Sequence, residues 1–80
     1  MRYMSPVTIA AYLKHNRLSV ERFAEQVGVT VSTVYRHLLA EVEPKAGTIA
    51  RYVRGTLGAV TAADVIREYI TTRDAKRKRR

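Results

Sequence analysis

The sequence contains no cysteine, few glycines and prolines, and no long apolar run. Without cysteine, the chain can form neither a disulfide nor a zinc site built on thiolates, which is compatible with a reducing compartment. Its longest apolar stretches are only a few residues, far short of the roughly 20 that span a bilayer. The N-terminal stretch MRYMSPVTIAAYLKHNR lacks a continuous apolar block and a small-residue cleavage site. We therefore expect a cytoplasmic protein with no secretion signal and no membrane span.

The 80 residues suffice for one small domain, and their charge is unevenly distributed. The net charge is +8. Residues 73–80, RDAKRKRR, hold six Lys or Arg and one Asp, which gives +5. Residues 1–72 hold nine Lys or Arg and six Asp or Glu, which gives +3. We accordingly expect a domain over residues 1–72 and a basic, disordered tail over residues 73–80. This balance favours a polyanionic partner, nucleic acid first and an acidic membrane second. The alternative is a solvated tail that only aids solubility.

Capping residues and apolar spacing predict three short helices in the first half of the chain. Ser5 and Pro6 are expected to open the first helix, which ends near Asn16. Ser19 is expected to cap the second helix and Thr30 the third.

Two further helices are predicted in the second half. Pro44 precedes the fourth, in which Ile49, Ala50 and Val53 repeat at helical spacing and which the Leu57-Gly58 pair is expected to end. Thr61 and Asp64 resemble a shortened capping box, and an apolar stripe of Val65, Ile66, Tyr69 and Ile70 follows. No segment alternates convincingly, so we predict an all-α domain of five helices.

Gly28 lies inside the stretch FAEQVGVTVSTVYRHL, which is otherwise helical in character. Glycine within a helix costs about 1 kcal/mol relative to alanine. The caps predicted at Ser19 and Thr30 instead place Gly28 just past the end of the second helix, where a left-handed backbone favours glycine. Val29 is then expected to turn inward. We predict two short helices joined by a tight turn at a steep angle.

This stretch resembles the helix-turn-helix of the Cro and C1-type phage repressors. The pattern is a small residue, a glycine four positions on and a valine six positions later, flanked by apolar residues: Ala24, Gly28, Val34, Phe23, Val27 and Val29. PKAGTIARYVRGTLGAVTAADV is similar to the fourth helix, turn and start of the fifth helix in such regulators. The resemblance covers roughly residues 6–70. It implies a compact five-helix Cro/C1 repressor-like domain and a small DNA-binding transcriptional regulator of phage or mobile-element type in bacteria.

In that family, the N-terminal residues of the second motif helix contact base edges in the major groove. Carried over here, the implied DNA contacts are Thr30, Val31, Ser32, Thr33, Tyr35 and Arg36. Arg36 has the planar fork that grips a guanine edge or a phosphate. Val31 can touch only a thymine methyl group. Many relatives have glutamine there to read adenine, so this departure puts adenine recognition in doubt.

Other residues are candidates for contact with the phosphate backbone. The start of the second helix, at Ser19, offers backbone N–H groups. Cationic candidates are Lys14, Arg17 and Lys45, and in the tail Arg73, Lys76, Arg77, Lys78, Arg79 and Arg80. Glu41 and Glu43 repel phosphate, so the loop after the third helix is expected to stay away from the backbone.

Several of these residues also have a purely structural interpretation. Thr30 caps a helix whatever else it does, and Tyr35 can be simply a surface aromatic. His37 is expected to be half-buried against Val34. No cofactor fingerprint, catalytic set or metal-ligand spacing is present. We therefore expect no enzyme activity, cofactor or metal.

The expected partner is double-stranded DNA, bound by a homodimer at an inverted repeat. The last helix, through Tyr69 and Ile70, is the expected dimerisation face. Two other functions stay open: a nonspecific nucleic-acid binder that uses the basic tail, and a protein-interaction module such as an antitoxin.

Overall fold

The computed structural model describes residues 7–78, which form five α-helices and no strand. The helices are α1 (Ile9–Asn16), α2 (Val20–Val27), α3 (Val31–Leu38), α4 (Ala46–Gly55) and α5 (Ala62–Lys78). The all-α prediction with five helices is thus confirmed for this part of the chain. None of the helices described is both long and apolar enough to cross a bilayer.

Hydroxyl side chains cap the first three helices and one acid–hydroxyl pair caps the last. The backbone N–H of Arg22 donates to Ser19 Oγ (3.1 Å) and that of Thr33 to Thr30 Oγ1 (3.2 Å), as predicted. The cap of α1 is Thr8, which accepts from Ala11 N–H (2.9 Å). Ser5 and Pro6, the start predicted from the sequence, lie outside the described residues. α1 itself begins at Ile9, later than that prediction.

The capping box predicted at the start of α5 is confirmed. Asp64 N–H donates to Thr61 Oγ1 (3.2 Å), while Thr61 N–H donates to Asp64 Oδ2 (3.0 Å). Two otherwise unpaired backbone donors are satisfied reciprocally in this way. The pair therefore fixes the point at which the chain turns from the α4–α5 loop into the longest helix.

Gly28 ends α2 in a left-handed conformation (φ 78°), as the sequence predicts. Its N–H and that of Val29 both donate to Ala24 O (2.9 and 3.1 Å). Val29 is half-buried and packs against the core. The turn Gly28–Thr30 therefore joins α2 directly to α3 and keeps the two helices packed together.

The core lies between the helices, around Phe23 of α2 and Tyr52 of α4, both fully buried. Their rings stack with centroids 5.7 Å apart. Ile49 and Val53 of the helical pattern in α4 are half-buried, and Ile49 packs against this core, whereas Ala50 is exposed. The sequence pattern did not mark Tyr52, whose hydroxyl has a buried partner that lowers the cost of burying a polar group.

α4 ends at Gly55, before the predicted stop at Leu57-Gly58. Thr56 Oγ1 donates to Tyr52 O (2.8 Å) and accepts from Val60 N–H (3.2 Å), so this buried hydroxyl closes the helix. Leu57 and Gly58 follow in left-handed conformations (φ 54° and 82°). The predicted pair therefore forms the left-handed turn that stops the helix, and Gly58 N–H donates back to Val53 O (2.8 Å).

α5 also holds α1 in place through a carboxylate. Glu68 Oε1 accepts from Ile9 N–H (2.7 Å) and Oε2 from Ala10 N–H (3.3 Å), at the positive end of the α1 dipole. Burial raises the pKa of Glu68, as does the nearby charge of Asp64, while the two backbone donors oppose these effects. The cost of burying this charge thus exceeds the gain from its two hydrogen bonds.

The tail predicted to be disordered from Arg73 is helical through Lys78. The sequence from Thr72 to Lys78 contains neither proline nor glycine, and its Lys, Arg and Ala residues are good helix formers. The guanidinium of Arg73 lies over the ring of Tyr69, 5.5 Å from its centroid, and pairs with Asp74 (3.4 Å). One helix therefore crosses the predicted boundary at residue 72, and the tail is not disordered through Lys78. Arg79 and Arg80 lie outside the described residues.

Candidate nucleic-acid interface

α3 has one side fixed in the protein and one side open. Val34 and His37 are buried, whereas Ser32, Tyr35 and Arg36 are exposed. The three exposed residues have the spacing i, i+3, i+4 and so lie on one helical face. We call them the outer stripe. Among the described residues, no ion pair or side-chain hydrogen bond engages them. The stripe therefore presents a hydroxyl, a phenol and a guanidinium to a partner.

The other three α3 candidates lie at its first turn and are occupied by the helix start. Thr30 Oγ1 lies 2.8 Å from Thr33 Oγ1 and accepts from Thr33 N–H. Val31 is half-buried and packs against the core. Three of the six candidates, those of the outer stripe, have side chains that neither cap the helix nor pack in the core.

His37 is tied to α4 by a buried hydrogen bond that the sequence analysis missed. Its Nδ1 lies 2.7 Å from Tyr52 Oη, and the two rings meet edge to face. Burial lowers the pKa of His37. Burial also raises the pKa of Tyr52, with a smaller contribution from the charge of Glu68. The bond anchors the inner side of α3.

This pair shows why His37 is buried rather than half-buried as expected. The sequence around His37 does not indicate which residue bonds it, because Tyr52 is 15 positions away. The spacing of Val34 and His37 on the inner side of α3 was the only signal available in the sequence.

The start of α2 offers a weaker anion site than predicted. Ser19 already accepts from Arg22 N–H, which leaves the first backbone N–H groups of the helix for a phosphate. Glu21 stands in that same turn, and its carboxylate opposes an anion.

The isolated cationic candidates are exposed but scattered. Lys14 lies in the last turn of α1, Arg17 follows that helix in a left-handed conformation (φ 54°), and Lys45 precedes α4. No hydrogen bond or ion pair between described residues links them to α3.

The basic end of α5, by contrast, meets α3. Lys76 Nζ donates to Leu39 O at 2.8 Å. Leu39 is the C-cap residue directly after α3. A cation there complements the negative end of the helix dipole. Leu39 lies about one turn beyond Tyr35 and Arg36. A long-range contact of this kind has no local signature in the sequence.

The described residues contain no cluster of three His, Cys, Asp or Glu side chains that could hold a metal ion. No protein-family model matches the chain, and neither the curated proteins nor the solved structures give a significant match.

Proposed function

We propose that this protein is a sequence-specific double-stranded DNA-binding regulator of transcription whose third helix enters the major groove. The observation that carries the proposal is the outer stripe of α3, three polar side chains on one face of a helix whose other face is locked by Val34 and His37. A major groove about 12 Å wide admits one α-helix. The net charge of +8 favours a polyanion in general.

The side chains of the stripe suit different parts of a duplex. Arg36 can bond the O6 and N7 atoms of guanine, a contact worth about 1–3 kcal/mol of discrimination. Ser32 can bond a base edge or a phosphate, and the hydroxyl of Tyr35 can reach a phosphate. The resemblance to Cro and C1-type repressors supports this assignment and the fold it implies.

The proposed binding unit is a homodimer on an inverted repeat. Half-sites about 34 Å apart place two recognition helices in successive major grooves on one side of the duplex. Ile66 and Ile70 are 46% and 41% exposed on α5, one turn apart. Burying this pair between two copies would remove apolar surface from water. Occupancy of the site then regulates the promoter it overlaps.

Selection from a random duplex library tests the proposal directly. Wild-type protein is expected to enrich a short inverted repeat, and Arg36→Ala to lose about 1–3 kcal/mol at particular base pairs. Arg54→Ala is the matched control, because it removes an exposed arginine of α4 outside the stripe. Equal weakening of all sequences by Arg36→Ala would remove the base-reading role.

A protein-binding role is the second candidate, and exposed apolar residues near the end of α3 favour it. Leu39 is 50% exposed and Val42 40%, close in sequence to Tyr35. Such side chains are better suited to a protein surface than to phosphates. Under this alternative, a Leu39→Ser, Val42→Ser variant loses a co-purifying protein, and the wild type retains no duplex.

A further inference from the structure

We infer that the end of α5 is a phosphate-binding site held in register with α3, in which Lys76 is the positioning residue and Arg77 contacts the phosphate. This inference rests on the proposed function, because its partner is the duplex that α3 enters. It replaces a diffuse cationic tail with a site of defined position.

One contact anchors the basic end of α5 beside α3. Lys76 Nζ donates to Leu39 O at 2.8 Å. Within α5, Arg73 is held by the ring of Tyr69 and by Asp74. Arg73 also lines a groove of about 150 Å³ together with Glu43 of the α3–α4 loop. These partners make Arg73 and Lys76 poor phosphate ligands, and Lys76 is the anchor to α3.

The contact between Lys76 and Leu39 places the basic end of α5 near the surface proposed to meet DNA. Leu39 lies three to four residues beyond Tyr35 and Arg36, or about 5 Å along the helix axis. A strand of phosphates borders the groove that the stripe would enter. Glu41 and Glu43 follow α3 and by themselves would repel that strand. Cations supplied by α5 at the same end of α3 offset this repulsion.

The rotation of the helix distinguishes Arg77 from Lys78. Successive residues are rotated by about 100°, so Arg77 is about 100° from Lys76, the residue that contacts α3, whereas Lys78 is about 160° from it. Both residues are exposed in the last turn of α5. Arg77 therefore borders the side that faces α3, and Lys78 lies on the opposite side. The two residues form a matched pair with equal charge and different direction.

The salt dependence of duplex binding measures the contact. Each phosphate neutralised by the protein contributes a slope of about 0.9 in a plot of log affinity against log salt. Arg77→Gln is expected to lower the slope by about this amount, so that a fourfold rise in salt weakens the variant about 3.5-fold less than the wild type. Lys78→Gln is expected to leave the slope unchanged. Thermal unfolding confirms that each variant is folded.

The positioning role of Lys76 is tested by measuring the salt dependence of Arg77→Gln and Lys78→Gln again in proteins that also carry a substitution at Lys76. In Lys76→Met, the end of α5 is released from Leu39, so Arg77→Gln and Lys78→Gln are expected to have equal effects. Lys76→Arg keeps a cation at the carbonyl and is expected to preserve the difference. A merely stabilising role for Lys76 would leave the difference between the two glutamine variants unchanged in all backgrounds.

The outcomes separate this inference from the proposed function. Equal slopes for Arg77→Gln and Lys78→Gln in the wild-type background, with an enriched sequence still bound, overturn the inference alone. Failure of the wild type to retain any duplex overturns the proposed function and the inference together. A slope change confined to Arg77→Gln, and abolished by Lys76→Met, supports the site.

Discussion

The packing of α4 against α2 predicts that Gly55→Ala destabilises the protein. A Cβ atom at position 55 would lie 2.6 Å from Val27 Cγ1 and 2.8 Å from Val27 Cα. The Val27 side chain can rotate, but its Cα cannot move without shifting α2. The side-chain Nε2 of Gln26, also on α2, donates to Gly55 O (2.9 Å) and so bonds α2 to the backbone of α4 at this point. The helices can therefore accommodate alanine only by separating.

The size of the effect follows from two opposed terms. Alanine gains up to about 1 kcal/mol in helix propensity over glycine. Overpacking of a close contact costs about 1–3 kcal/mol. Because a backbone atom is involved, we expect the upper part of that range and a net loss of about 1–2 kcal/mol. A domain of this size has about 4–12 kcal/mol of stability in total, so the loss is a large fraction.

Chemical and thermal unfolding measure this loss, and Gly47→Ala is the matched control. Gly47 lies in the same helix and has no atom within 4 Å of an added Cβ. The Gly47→Ala variant is expected to be more stable than the wild type by up to about 1 kcal/mol. A loss of 1–2 kcal/mol lowers the melting temperature by about 4–16 °C in a domain this small. If Gly55→Ala is as stable as Gly47→Ala, the close approach of α2 and α4 is wrong.

Three further predictions concern buried polar groups and a strained turn. Glu68→Gln is expected to raise the stability of the fold at pH 7, because it removes a charge from a half-buried site and keeps an acceptor for the start of α1. The stability gain over the wild type should shrink at lower pH, as Glu68 becomes protonated in the wild type. The sign follows from its raised pKa, since such a group favours folding most at low pH and loses that contribution as pH rises. Tyr52→Phe leaves His37 Nδ1 unpaired and is expected to cost about 1–3 kcal/mol. Because the pKa of His37 is lowered on folding, its contribution to stability is lost as pH falls below about 6.5. Leu57→Gly is expected to add about 0.5–1 kcal/mol, because Leu57 is 94% exposed at φ 54°.

Unfolding curves at several pH values check all three, each with its own comparison. Glu68→Ala removes the acceptor as well as the charge and should destabilise α1; equal stability of the Ala and Gln variants would exclude the capping role. His15→Gln removes an exposed histidine and is the comparison for the acid dependence. A Tyr52→Phe variant as stable as the wild type would mean that the buried bond contributes nothing. A loss of stability in Leu57→Gly would show that the leucine packs in solution.

The sequence by itself determined the local structure of this protein. The caps at Ser19, Thr30 and Thr61, and the left-handed glycine at position 28, are visible because capping depends on residues within three or four positions of each other. Helix order and the absence of strands in the described part follow from the same short-range patterns. The outer stripe of α3 was also accessible, since the i, i+3, i+4 spacing defines a face once the helix is placed.

Only the tertiary structure decided which polar groups are buried and where the basic segment lies. Tyr52 of α4 is fully buried in the core, where His37, on another helix, satisfies its hydroxyl. Glu68 caps a helix that begins 59 residues earlier in the chain. Lys76 reaches Leu39 across 37 positions and gives the end of α5 a surface to pack on. Each of these contacts depends on how helices cross, and helix crossing is set by the packing of the whole core rather than by neighbouring residues.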